Sequence, residues 1–152
     1  TLHANSANQA LVRIINFFPD ERREQLLMDL SLNLRALISQ RLIPREAGAG
    51  RIAAMEIMLN SPLIQDLIFK GEVTKIKEVM ARSNRMGMKT FDQALFELYE
   101  GGYVSYEDAL RYAASKIKLS IKIKLDKQRE QKNLDDEGAL AILDDEDKGR
   151  SL

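Results

Sequence analysis

The chain of 152 residues has no cysteine, no tryptophan and a single histidine, His3. Without cysteine there is no disulfide framework, and Cys-ligated zinc and iron–sulfur centres are excluded. One histidine cannot supply a His cluster for a metal, and a nucleophile triad has only His3 for its base. No apolar run approaches the roughly 20 residues that a membrane helix needs. The first residues show neither the basic nor the apolar region of a secretory signal. The dipeptide Gly-Lys occurs nowhere, so a GxxxxGK[ST] phosphate loop cannot be drawn within the chain; GxGxxG and HExxH are also missing. The nine aromatic residues follow no RNA-binding pattern, and nucleic acid is not expected as a partner. The composition leads to the expectation of a soluble, cytoplasmic protein.

Apolar residues make up 45%, enough for a real core at this length. The 23 basic and 23 acidic residues balance but are unevenly placed. Residues 1–125 hold 18 basic and 14 acidic residues, whereas residues 126–152 hold 5 and 9. The acidic tail, 126–152, carries too few apolar residues to bury a core and reads as mostly disordered. Its segment Leu134–Leu143 has the apolar content for one or two helical turns on a partner.

The body reads as helices around one hairpin. Asn5 or Ser6 can cap a first helix with Ala7, Leu11, Ile14, Ile15 and Phe18 on its apolar face. Pro19 stops it and can open the next. That second helix starts acidic (Asp20, Glu21, Glu24) and carries leucines to Leu34, then Leu37 and Ile38, at helical spacing. Ser39–Pro44 and Arg51–Leu59, joined by Glu46-Ala47-Gly48-Ala49-Gly50, read as an antiparallel hairpin. A helix over Ile52–Leu59 is the competing reading, because Ala53, Ala54 and Met55 favour one.

Ser61-Pro62 opens a further helix that stops at Gly71. Val73, Ile76, Val79 and Met80 form the next face, ending at Gly87. Thr90 caps a helix that ends at Gly101-Gly102. Ser105, with Asp108 three residues on, caps a last short helix. These short pieces suit a compact all-α subdomain. In residues 116–125 apolar and polar residues then alternate strictly. That period predicts a strand with one wet face, with a helical continuation as the alternative.

Two places could carry chemistry. Thr1–Ala7 reads as a strand exit running into a helix cap, where open α/β sheets bind ligands. A histidine there can donate to a phosphate; an exposed terminal His beside plain capping residues is the alternative. Arg41, Arg45 and Arg51 around the Gly48–Gly50 turn offer a loose phosphate contact; the alternative is a solvated hairpin edge.

Thr1–Ala7, TLHANSA, resembles the His box of the secretion ATPases. RIINFFPDERREQ, LSLNLRALISQRLIPR, GRIAAMEIMLNSPLI and GMKTFDQALFELY follow in order. Together they resemble the C-terminal region of the type IV pilus retraction ATPase family (PilT/PilU), continuously from Thr1 to about Leu125. LIFKGE (Leu67–Glu72) and the charged tail look closer to the PilU branch. The resemblance implies an α+β, mainly α fold. The C-terminal end of a RecA-like α/β core, with helices and a short β-hairpin (1–60), would precede an all-α domain (61–125) and the tail (126–152).

It also implies that the chain is part of a longer, hexameric ATPase. Such a parent would use ATP and Mg²⁺ for pilus disassembly and twitching motility. It would work with a PilT-like motor ring and the pilus platform, peripheral to the inner membrane. His3 would lie near the nucleotide phosphates, with no metal ligand and no other cofactor contact in the chain. The chain alone, lacking Walker A and Walker B, would be inactive. The family's AIRNLIRE motif falls on Leu63–Lys70. Gln65, Phe69 and Lys70 replace its two arginines and glutamate, whereas Ile64, Leu67 and Ile68 keep its apolar positions. That departure favours an accessory, PilU-like role. A standalone helical adaptor without nucleotide chemistry is the competing reading.

Overall fold

A computed structural model describes residues 4–129 and 131–132. His3 and the segment Leu134–Leu143 lie outside the described residues. The described residues fall into two compact units, one up to Ala114 and one from Ser115 on.

In the first unit, α1 (Ala7–Asn16) is followed by a 3-10 turn that leads into α2 (Arg23–Asn33). Two antiparallel strands come next, β1 (Ala36–Pro44) and β2 (Arg51–Leu59), with Ala36 opposite Leu59 and Pro44 opposite Arg51. The hairpin expected from the sequence is therefore present, and the helix alternative for its second arm is not. Then come α3 (Pro62–Phe69), α4 (Ile76–Arg82), α5 (Phe91–Glu100) and α6 (Tyr106–Tyr112).

The sequence reading carried α2 too far. Leu34 is already extended, and Leu37 and Ile38 belong to β1, which starts three residues before the expected Ser39. The helical spacing of the leucines runs on by chance, and pairing with β2 overrides it. Phe18, expected on the buried face of α1, lies past the helix end and is 44% exposed.

The core of this unit joins Leu11 and Ile15 of α1, Met58 of β2, Ile64 and Ile68 of α3, and Ile76 of α4. The hairpin divides its two faces sharply. Ile43, Ala54, Glu56 and Met58 point inward and are buried. Ile38 and Leu42, on the opposite face, are exposed. Helices α1, α5 and α6 pack against the strands, and α2 packs on α3.

The helix ends follow local chemistry. Gly71, at φ +72°, donates its N–H to Ile68 O (2.9 Å) while Glu72 N donates to Leu67 O (2.8 Å), a Schellman closure of α3. α5 closes the same way through Gly102 and Tyr103. At its start Thr90 and Gln93 make a full capping box, side chain to backbone in both directions.

The second unit contains a helix, α7, over residues 116–129. This overturns the strand reading of 116–125 and makes the first residues of the expected disordered tail helical. Ser115 caps α7, its Oγ accepting from Lys118 N (3.4 Å) and its carbonyl from Leu119 N (3.0 Å). A strict two-residue alternation also contains every i, i+4 pair. Leu119 and Ile123 therefore form one stripe of a helix as readily as one face of a strand.

Candidate functional site

The described part of the TLHANSA segment begins at Ala4 and runs straight into α1. Ser6 is the helix cap, its side chain accepting from Gln9 N at 3.3 Å. Gln9 Oε1 reaches back to accept from Asn5 N at 2.9 Å. The Ser6 hydroxyl therefore does capping work, as its residue type suggests, and Gln9 rather than the Asn5 side chain completes the cap.

Two side chains from the hairpin hold the same segment. Glu56, on the inner face of β2 and only 3% exposed, accepts from Ala7 N at 2.7 Å. Its second oxygen faces Phe91 N at 3.4 Å. One carboxylate thus meets the first N–H of α1 and the first N–H of α5, the positive ends of two helices. Local pairing brings α5 there: Ile57 of β2 and Lys89 exchange N–H···O bonds of 2.8 and 2.9 Å, placing Thr90 and Phe91 beside Glu56.

Arg41, on the inner face of β1, does the complementary job. Its Nη2 donates to Asn5 O (2.8 Å) and its Nη1 to Tyr112 O (2.9 Å) at the end of α6. Its guanidinium lies 4.4 Å from the centre of the Phe91 ring, a cation–π stack. Arg41 is therefore committed to carbonyls and a ring. This removes it from the loose phosphate site that the sequence suggested with Arg45 and Arg51. The Gly48–Gly50 turn is open, with nothing near the position a Cβ would take at either glycine.

Sequence reasoning missed Glu56. Its signal was a lone carboxylate on the inward side of an otherwise apolar strand, legible only once the register is known. Among the described residues no three His, Asp or Glu side chains gather as a cation site. The sequence contains no Gly-Lys, so the lysine-bearing phosphate loop of a Mg²⁺–nucleotide site is not among these residues. No described helix is long and apolar enough to cross a membrane.

The stretch aligned with AIRNLIRE lies on α3. Ile64, Leu67 and Ile68 are buried, as helix-face packing predicts. The departures from the motif are on the wetter side: Phe69 is 54% exposed, and Lys70 pairs with Asp66 at 2.7 Å. The Asp66 hydrogen bond raises the Lys70 pKa above its ordinary value.

This arrangement of helices and hairpin is found in known proteins. It aligns with a crystal structure of the pilus retraction motor PilT with bound ADP at a TM-score of 0.69 and 32% identity, over 79% of this chain and 33% of that one. The ATPase DotB of Legionella pneumophila shares the fold at a TM-score of 0.58 and 19% identity, over 70% of this chain and 29% of its own. The fold is thus that of part of a PilT-like ATPase.

The sequence narrows this further. The chain is 52% identical to the type IV pilus ATPase PilU of Pseudomonas aeruginosa, over 99% of this chain and 40% of that protein. It is 37% identical to the PilT of the same organism, over 72% of this chain and 31% of that protein. A twitching motility protein of Neisseria gonorrhoeae is 35% identical, over 79% and 32%. No family model matches. The chain belongs to the PilT/PilU ATPase family, as a C-terminal portion of it. It spans about two fifths or less of the length of these relatives.

Proposed function

We propose that this chain is the C-terminal part of a PilU-like motor that couples ATP hydrolysis, with Mg²⁺, to type IV pilus disassembly. The observation that carries this reading is the 52% identity to P. aeruginosa PilU along 99% of the chain. In the parent, six copies form a ring. The Walker A loop and its lysine come from sequence outside this chain, because no Gly-Lys exists within it, and the Walker B acid comes from there with them. Residues 1–60 close the ATPase core, with His3 near the phosphates, and residues 61–125 form the helical domain. The parent works at the cytoplasmic face of the inner membrane, with a PilT-like ring and the pilus platform as partners. The departures at Gln65, Phe69 and Lys70 support an accessory role beside such a ring.

A chimaera tests this. The matching C-terminal part of P. aeruginosa PilU is replaced by this chain, and ATP turnover and twitching are measured in a strain lacking PilU. Restoration of both is the expected result. A folded, expressed chimaera with turnover but no effect on twitching would sink the pilus assignment.

A further inference from the structure

Arg41, Phe91 and Glu56 come from three different elements, and together they grip the exit of the TLHANSA segment. Glu56 takes the Ala7 N–H, and Arg41 takes the Asn5 carbonyl two residues earlier. Both then meet on Phe91: Glu56 at its N–H, Arg41 over its ring. Arg41 also ties in the last carbonyl of α6. Phe91 is only 2% exposed and Glu56 only 3%, so this side of the junction is packed, with the Arg41–Asn5 bond at its exposed edge.

We propose that Arg41 and Glu56 are positioning residues: through Phe91 they lock the Asn5–Ala7 exit to the start of α5 and the end of α6. A displacement of the helical part then moves the segment that, in the reading proposed above, faces the nucleotide. This rests on that reading for its catalytic consequence and on the geometry alone for the clamp. Rigid linkage of this kind sets turnover more than affinity, since small misplacements of a reacting group cost rate. The bidentate use of Arg41 matters here, because lysine keeps the charge but not the planar fork.

The test has two arms. In the purified chain, amide exchange is followed for residues 4–11 and 90–95 in wild type, Arg41→Lys, Glu56→Gln and Phe91→Leu. Phe91→Leu touches none of the hydrogen-bonding atoms of Asn5 or Ala7, yet it is expected to speed exchange around Ala7 by about tenfold, the equivalent of one hydrogen bond. Unchanged exchange there in both Phe91→Leu and Arg41→Lys would overturn the clamp, even if Glu56→Gln fails to fold.

In the full-length parent, Arg41→Lys is expected to lower kcat about tenfold with the KM for ATP within about twofold. A lowered melting temperature with wild-type kcat and KM would make the role merely structural and overturn the positioning claim. A wild-type parent without ATP turnover would overturn the motor reading and the catalytic consequence with it, while the exchange arm still decides the clamp.

Discussion

Asn60 ends α2 from a distance: its Nδ2 donates to the carbonyl of Ser31, 29 residues earlier, at 2.9 Å. The same nitrogen donates to Leu34 O at 2.7 Å. The chain leaves the helix here because a side chain after β2 satisfies carbonyls that have no helical partner. Asn60→Ala leaves both carbonyls part-buried and unpaired. It should cost about 1–3 kcal/mol, read as a lowered urea midpoint at unchanged m-value.

The two faces of the hairpin predict opposite sensitivities. Ile43 is fully buried and Ile38 is 62% exposed, five positions along the same strand. Ile43→Ala should cost about 2–5 kcal/mol. Ile38→Ala should cost no more than about 1 kcal/mol, the span of the strand-propensity scale. Equal costs by chemical denaturation would mean that the register is wrong by one residue.

For α7, NMR should show Cα shifts of helical sign without a break over residues 116–129. Lys122→Pro should erase them around its site, since proline costs about 3 kcal/mol inside a helix. Strand-type shifts in the wild type would restore the reading from the two-residue alternation.

His3→Ala in the full-length parent should leave nucleotide affinity nearly unchanged and reduce turnover or twitching. Affinity rests chiefly on the phosphate loop supplied from outside this chain, whereas a histidine beside the phosphates acts on the step itself. Normal turnover together with normal twitching in this variant would remove His3 from the site.

Steady-state phosphate release by the purified chain should equal that of a parent whose Walker A lysine is mutated. A row of backbone N–H groups with its lysine is needed to hold the β- and γ-phosphates, and Gly-Lys is absent here. Release above that control, lost in Arg45→Ala, would reveal an independent nucleotide site at the hairpin turn.

Local chemistry makes much of this chain legible from its sequence alone. Ser6, Thr90 and Ser105 announce helix starts, because a side-chain oxygen placed just before an apolar run meets the first free N–H groups. Gly71 and Gly101-Gly102 announce stops, because a left-handed residue turns the backbone onto the last carbonyls. The family was legible for a different reason: a long ordered string of residues is far less ambiguous than any one motif. What the sequence left open was set at long range. Leu37 and Ile38 fit a helix until β2 pairs with them, and the alternation in 116–125 fits helix and strand alike. Arg41 and Glu56 look like ordinary charges on a hairpin. Only folding brings the Asn5 carbonyl, the Ala7 N–H and the Phe91 ring and N–H to them, from 35 to 50 residues away along the chain. Their roles follow from partners distant in the chain, and no pattern within reach of either residue could have named those partners.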